Sequence, residues 1–300
     1  MARRRATRVG GAPAGLAAVA RIVAAILAYQ VLLIATSIGL YFVGLALIPS
    51  DGQATFGLIA LGLAEGAAIL AVVAVWRTLD GRPIAELGLR HERAAQYWLR
   101  GAGVAALMMG FVVLAWYTLL DGATWDVNPD PVKATIVLVG GLLGFLIQGP
   151  AEEILFRGHL FENVRDQWGL HWAVCVSSVA FGLFHAPNPG FGVLPFINLV
   201  LFGVATALYK TFVDDGQLWG VFGIHTMWNW LQQVVFGLPN SGIVTARDNA
   251  LFTVTPNTSL PEAIWGGGFG PEGTLATTLV LLALIGVCLR RSRRPRCWQG

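Results

Sequence analysis

The sequence predicts an all-α polytopic membrane protein, and three observations support this prediction. Hydrophobic residues make up 55% of the 300-residue chain and charged residues only 12%, whereas a soluble protein carries roughly 25% charged residues. The mean hydropathy is +0.64. Long apolar runs alternate with short clusters of basic residues. This composition excludes a soluble globular domain, a disordered chain and a fibrous protein.

Eight apolar runs form the predicted spans, since a transmembrane helix takes about 20 largely apolar residues. The first run is far longer than the ~7–15 residues of a signal-peptide core, so we expect it to be a retained membrane anchor. The eight runs cover residues 21–48, 54–76, 99–120, 134–165, 171–187, 194–212, 217–238 and 274–289.

The spans divide the chain into three parts. Residues 1–133 hold a basic tail and three spans, residues 134–238 hold a core of four spans, and residues 239–300 hold an outer loop, the last span and a second basic tail. The loop connection 239–273 contains the triplet Gly266-Gly267-Gly268. Because glycine clusters mark turns, we interpret this connection as a flexible turn.

The basic residues predict the orientation of the chain, because Lys and Arg are enriched in cytoplasmic loops. With the N-terminus inside, only Lys133 and Arg247 lie on the outer side. We therefore expect both termini in the cytoplasm, a plasma-membrane location if the source is prokaryotic, and the lipid bilayer rather than a nucleic acid as partner. The cytoplasmic set is Arg3, Arg4, Arg5, Arg8, Arg77, Arg82, Arg90, Arg93, Arg100, Arg165, Lys210, Arg290, Arg291, Arg293, Arg294 and Arg296.

The fourth predicted span breaks the apolar pattern most heavily. It carries two adjacent carboxylates and an arginine, and each charge costs at least ~2.5–3.5 kcal/mol inside a bilayer. Glu153 and Arg157 are four residues apart on one helix face, so they can neutralise each other. Glu152 is rotated about 100° from Glu153 and lacks that partner. These charges predict a functional site within the membrane.

Two further spans carry polar residues that favour the same site. His185 follows Phe181 by one helical turn, and His225 and Asn229 share a face of the seventh span. A single such residue is usually an interhelical hydrogen-bond partner, but two imidazoles, a carboxamide and two carboxylates on three helices favour one shared cavity. The remaining histidines are expected at the surface, in or near loops; they are His91, His159 and His171.

The helical rise of about 1.5 Å per residue tests this grouping. His185, His225 and Asn229 are expected about 12–20 Å from the cytoplasmic helix ends. Glu152 reaches about 20 Å only if the fourth helix continues to Arg165. We therefore predict a helix that runs on through Arg157, which places that arginine inside the membrane.

The grouped side chains can hydrolyse an amide without a serine or cysteine nucleophile. Glu152 can take a proton from a water that His185 orients. His225 and Asn229 can stabilise the developing oxyanion, a role worth about 10²–10³ in rate. Alternatively, Glu152, His185 and His225 supply the three ligands of a catalytic zinc or other divalent metal ion. We favour the mechanism without a cofactor, because the oxyanion roles leave few ligands, and the sequence leaves both mechanisms open.

Three motifs carry these residues in order along the chain: Glu152-Glu153-x-x-x-Arg157, Phe181-x-x-x-His185 and His225-x-x-x-Asn229. Their order resembles the CAAX-protease and bacteriocin-processing (CPBP) intramembrane proteases, a family that includes the Rce1-type CAAX prenyl endopeptidases. The resemblance covers about residues 134–233. It implies water activation by Glu152 with His185, oxyanion binding by His225 and Asn229, and a structural or substrate-carboxylate role for the Glu153–Arg157 pair.

The resemblance implies an intramembrane endopeptidase with a catalytic cavity, of the glutamic or the metallo type. The expected substrate is a membrane-associated peptide or protein, prenylated or not, that is cleaved near its C-terminus. Two other classes compete with this interpretation. A non-catalytic scaffold or bacteriocin-immunity protein would tolerate Glu152→Gln. A proton-coupled transporter would use the same residues as a relay, but the two halves of the chain show no matching broken helices.

Overall fold

The computed structural model describes residues 14–117, 120–245 and 247–293. The arginines predicted in the cytoplasmic tails at positions 3–8 and beyond 293 lie outside these residues. The helices are α1 (Ala14–Leu47), α2 (Gln53–Thr78), α3 (Ala94–Gly110), α4 (Pro131–Glu153), α5 (Phe161–Trp168), α6 (Leu170–Phe184), α7 (Val193–Phe212), α8 (Trp219–Trp230), α9 (Glu262–Trp265) and α10 (Leu275–Ser292). The strands β1 (Ala123–Val127) and β2 (Phe252–Pro256) pair antiparallel, with Trp125 opposite Val254.

Within the described residues, six helical segments are long and apolar enough to cross a membrane. The fifth and seventh predicted spans correspond to the shorter helices α6 and α8, and a π-helical turn (Leu231–Val235) lengthens α8. All eight predicted runs contain a helix, which confirms the prediction of an all-α polytopic membrane protein. The six long segments are Ala14–Leu47, Ser50–Thr78, Ala94–Leu114, Pro131–Trp168, Val193–Phe212 and Leu275–Ser292.

The outward faces of the helices are apolar. Leu107 on α3 is 78% exposed and Val193 at the start of α7 is 79% exposed, and many other large apolar side chains point outward as well. A soluble monomer rarely exposes contiguous apolar surface of this extent, because water solvates it poorly. Lipid tails solvate such a surface well. The chain is therefore an integral membrane protein.

The helices that carry the motifs meet in a tightly packed bundle. Helix α2 contacts α1 and α4, while α8 contacts α3 and α4, and α7 contacts α6 and α10. Two of these crossings need glycine: a Cβ on Gly144 would lie 2.1 Å from the carbonyl oxygen of Leu58, and one on Gly101 would lie 1.9 Å from that of Gly220. Small residues let membrane helices approach closely, so backbone contact fixes the positions of α2, α4 and α8.

The fourth predicted span runs from Pro131 to Trp168 without a break. A π-helical segment, Ile154–Leu160, joins α4 to α5. The prediction that this helix continues to Arg165 is confirmed. The continuation buries His159 completely, with its Nε2 2.9 Å from Asp80 Oδ2. The expectation of a surface position is therefore wrong for His159, whereas His91 and His171 are exposed as expected.

The connection between α8 and α10, predicted as an outer loop, is packed against the bundle. Gly266 and Gly267 have φ values of 98° and 58°, as glycines in turns often do. Nevertheless, Phe269 is fully buried, and the backbone N–H of Ser241 donates a 2.5 Å hydrogen bond to the carboxylate of Glu272. The interpretation of this connection as a flexible turn is therefore corrected, because its buried side chains anchor it.

Candidate functional site

The three motifs converge on one cavity of about 240 Å³. Glu152 lies at the end of α4, His185 follows the last residue of α6, and His225 lies on α8. The Nε2 atoms of His185 and His225 lie 3.9 Å and 3.8 Å from Glu152 Oε2. Glu152 is only 5% exposed, and this oxygen has no hydrogen-bond partner among the described residues. Glu152 and His225 are 73 positions apart along the chain, yet they meet at one carboxylate oxygen.

Both imidazoles are held by their Nδ1 atoms. His185 Nδ1 lies 2.9 Å from the carbonyl oxygen of Phe181, and His225 Nδ1 lies 2.9 Å from Glu153 Oε1. A carbonyl or carboxylate oxygen accepts, so in each ring Nδ1 is the donor, as assigned from its partner. In the neutral rings, Nε2 then carries the lone pair. Two such lone pairs face Glu152.

The π-helical segment (Ile154–Leu160) follows the two glutamates directly. A π-helix contains more residues per turn than an α-helix and often marks a functional site. The carbonyl oxygen of Arg157 in this segment accepts a 2.5 Å hydrogen bond from Lys210 Nζ on α7, which also lies 2.6 Å from Glu162 Oε1. Lys210 is fully buried. Glu162 therefore neutralises the charge of Lys210 within the bundle.

Glu153 and Arg157 form a buried pair next to the cavity. Arg157 Nη1 lies 3.3 Å from Glu153 Oε1, and both side chains are 0% exposed. The guanidinium carbon lies 4.2 Å from the ring centroid of Phe181, within cation–π range. Phe181 lines the cavity and Arg157 does not. The arginine is thus packed behind the cavity wall.

Asn229 reaches Glu152 through a residue that the sequence analysis did not assign. Asn229 Nδ2 donates to Gln148 Oε1 at 2.9 Å, and Gln148 Nε2 donates to Glu152 Oε1 at 2.5 Å. Gln148 and Glu152 are four residues apart on one helix. From this spacing and from its polarity, Gln148 could have been assigned to the site from the sequence.

Two more carboxylates line the cavity and were also missed. Glu65 lies on α2, and Glu272 lies in the connection between α8 and α10. Burial raises the pKa of Glu272 above its ordinary value, although hydrogen bonds from Gln232 and Ser241 oppose the rise. Glu65 is the only charged residue inside the second predicted span, 54–76. The rule that intramembrane charges are functional could therefore have identified it. No comparable signal marked Glu272, which lies in a loop.

The fold and the site together define a class: a polytopic helical membrane protein in which carboxylate, imidazole and carboxamide groups share a buried cavity. The family model described as type II CAAX prenyl endopeptidase Rce1-like matches residues 134–231. The matched segment spans about a third of the chain and contains Glu152, His185, His225 and Asn229. The resemblance to CPBP proteases of the Rce1 type is thereby confirmed.

At the level of the family, the match supports a CAAX-type intramembrane endopeptidase, and thus a protease that acts on a peptide in a membrane. A search of curated proteins gave no significant match.

Proposed function

We propose that this protein is an intramembrane endopeptidase that hydrolyses a peptide bond near the C-terminus of a membrane-associated peptide or protein, prenylated or not. The observation that carries the proposal is the convergence of His185 Nε2 and His225 Nε2 on Glu152 Oε2, at 3.9 Å and 3.8 Å. All three atoms are acceptors when Glu152 is ionised and the rings are neutral. Such a group suits a molecule that donates two hydrogen bonds, and water is that molecule.

Water activation falls to Glu152 and His185 in this proposal. Glu152 accepts a proton from the water while the water oxygen forms a bond to the carbonyl carbon of the substrate. His185 holds the water in position for this attack. The tetrahedral intermediate then collapses, the carbon–nitrogen bond breaks, and the proton on Glu152 passes to the leaving amine. Gln148 supports this cycle because its amide N–H holds the second carboxylate oxygen of Glu152.

Oxyanion stabilisation falls to His225 and Asn229. One amide N–H of Asn229 is bonded to Gln148, and the amide has a second N–H to donate. His225 can donate from Nε2 only when its ring is protonated. Glu153 Oε1, 2.9 Å from His225 Nδ1, fixes the orientation of the ring and thus the direction in which Nε2 points. Charge that develops on the substrate oxygen would thus face two donors.

The Glu153–Arg157 pair has a structural role in this proposal. Binding a substrate carboxylate would require the guanidinium to reach the cavity, but Arg157 is fully buried behind Phe181. Glu153 neutralises the arginine on one side and orients His225 on the other. This pair therefore supports the catalytic imidazole without contacting substrate.

The alternative metal mechanism would use Glu152, His185 and His225 as ligands. Tetrahedral zinc ligands with bonds of about 2.0–2.2 Å are roughly 3.4 Å apart, which is closer than the 3.8 Å and 3.9 Å separations here. Within the described residues, no three His, Cys, Asp or Glu side chains are grouped closely enough to hold an ion. We therefore propose no step through a metal. Stoichiometric zinc in the purified protein, with activity lost on its removal, would contradict this choice.

The proposal is tested by Glu152→Gln. Glutamine keeps the size and hydrogen-bonding capacity of the side chain but cannot take the proton, so turnover should fall by about 10²–10⁴ while yield and melting temperature stay near those of the wild type. Cleavage of an isoprenylated C-terminal peptide in detergent or liposomes measures this. Glu86→Gln, the same change at an exposed site, is the control. Full activity of Glu152→Gln would refute the assignment.

A further inference from the structure

The cavity contains a buried carboxylate for which the proposed mechanism has no use. Glu65, on α2, is 3% exposed and lines the same cavity as Glu152. The hydroxyl of Tyr29 on α1 donates a hydrogen bond to Glu65 Oε2. Among the described residues, the Glu65 side chain makes no other hydrogen bond. Its Oε1 is therefore available to a molecule in the cavity.

The charged groups that line the cavity are of one sign. Glu65, Glu152 and Glu272 line it, and no lysine or arginine of the described chain does. Glu152 also presents an oxygen without a hydrogen-bond partner among the described residues. The nearest arginine of the motifs, Arg157, is paired with Glu153 behind the wall. A cationic group in the cavity would thus find carboxylates, whereas an anionic group would find no lysine or arginine.

Glu65 also lies near a groove that borders the cavity. Leu61, one helical turn from Glu65, lines both the cavity and a groove between α1 and α2. Ser37 of α1 likewise lines both and is exposed on the outside of the bundle. The groove and the cavity therefore share a wall on the side of Glu65.

We propose that Glu65 is a specificity-determining residue that selects substrates with a lysine or arginine side chain directly after the scissile bond. This inference rests on the proposed peptidase function. Tyr29 fixes one oxygen of Glu65, and the substrate cation pairs with the other. Hydrogen bonds between ionised groups are short and strong, and an unpaired charge is costly at a buried position such as that of Glu65. The same argument disfavours a carboxylate at that substrate position.

The test uses three isoprenylated peptides that are amidated at the C-terminus and differ only in the residue after the scissile bond: lysine, norleucine or glutamate. We expect the full-length protein in liposomes to cleave the lysine peptide roughly 10- to 100-fold more efficiently, in kcat/KM, than the glutamate peptide. Glu65→Gln should reduce this ratio to near one, and Tyr29→Phe should reduce it partly. Glu86→Gln, outside the cavity, should leave the ratio unchanged.

The outcomes separate the two proposals. Cleavage that depends on Glu152 but shows no lysine preference would overturn the role of Glu65 and leave the peptidase function standing. A preference that survives Glu65→Gln would overturn it as well. If no peptide is cleaved, the peptidase function fails, and thermal shifts decide whether Glu65 still selects a lysine side chain in the bound peptide. A larger rise in melting temperature with the lysine peptide than with the glutamate peptide, abolished by Glu65→Gln, would support it, and equal rises would overturn it.

Discussion

Two adjacent glutamates in the fourth span face different surroundings. Glu152 lines the cavity and approaches two imidazole nitrogens. Glu153 is fully buried and lies between Arg157 and His225. Because successive helical residues are rotated by about 100°, one side chain can face the substrate while its neighbour supports the protein. The same substitution at the two positions should therefore have different effects.

Glu153→Gln should mainly reduce the stability of the folded protein rather than the rate of the catalytic step. The change leaves Arg157 as a buried charge without a counter-ion, and removing one partner of a buried pair costs about 3–5 kcal/mol. We expect a low yield and a lower melting temperature in detergent. Thermal unfolding of this variant, measured beside Glu152→Gln, checks the prediction.

A second substitution provides the control for this effect. Glu153→Gln combined with Arg157→Met removes both charges, so part of the lost stability should return. A Glu153→Gln protein that is as stable as the wild type, yet as inactive as Glu152→Gln, would show that the roles of the two glutamates are reversed.

At the scale of helices, the crossing of α2 and α4 determines where the carboxylates lie. Helix α2 carries Glu65 and α4 carries Glu152. The two backbones touch at Gly144, where an added Cβ would lie 2.1 Å from the carbonyl oxygen of Leu58. No flexible side chain can move aside at this contact, because the neighbouring atom belongs to the backbone. A methyl group must therefore push the helices apart.

Gly144→Ala should destabilise the protein by about 1–3 kcal/mol, the usual cost of overpacking, and should reduce peptide cleavage because it displaces α2 from α4. Gly39→Ala is the matched control, since a Cβ at this position of α1 meets nothing within 4 Å. Melting temperature and kcat of both variants measure the effect. Equal behaviour of the two variants would contradict a rigid crossing.

At the scale of the whole molecule, ionic contacts gather at one end of the bundle. Arg82 pairs with Asp166 at 2.8 Å, and Arg90 donates to the carbonyl oxygen of Asp215 at 3.0 Å. These contacts join the connection between α2 and α3 to helix α5 and to the loop after α7. The opposite end carries the β1–β2 sheet and few basic residues. The fold therefore separates an end rich in basic residues from an end that carries few of them, the asymmetry on which the positive-inside rule relies.

We expect the basic end, with both termini, to face the cytoplasm. A reporter fused at Gly300 and a single cysteine at Ser259, placed in a cysteine-free background, should be accessible from opposite sides of the membrane. Impermeant thiol labelling of intact cells and of inverted vesicles measures this. Labelling of Ser259→Cys on the side of the reporter would refute the orientation and the depths derived from it.

Much of the fold could be predicted from hydropathy alone, because a membrane helix must satisfy its backbone internally and be apolar outside. The spans followed from this rule, whereas the continuation of the fourth helix through Arg157 followed from the depth that Glu152 needs to meet the two histidines. The burial of His159 did not, because its partner Asp80 belongs to a distant loop. Likewise, the pairing of Lys210 with Glu162 could not be predicted, because the two residues lie on different helices.

The sequence by itself determined the class of protein, the number of helical runs and the three motifs, since each depends on composition or on spacing within one helix. Only the tertiary structure decided which atoms meet. It placed two imidazole nitrogens beside Glu152, sealed Arg157 behind Phe181, and added Glu65 and Glu272 to the cavity. These contacts join residues on different helices and loops. Spacing along one chain cannot specify them, because they depend on how the helices cross.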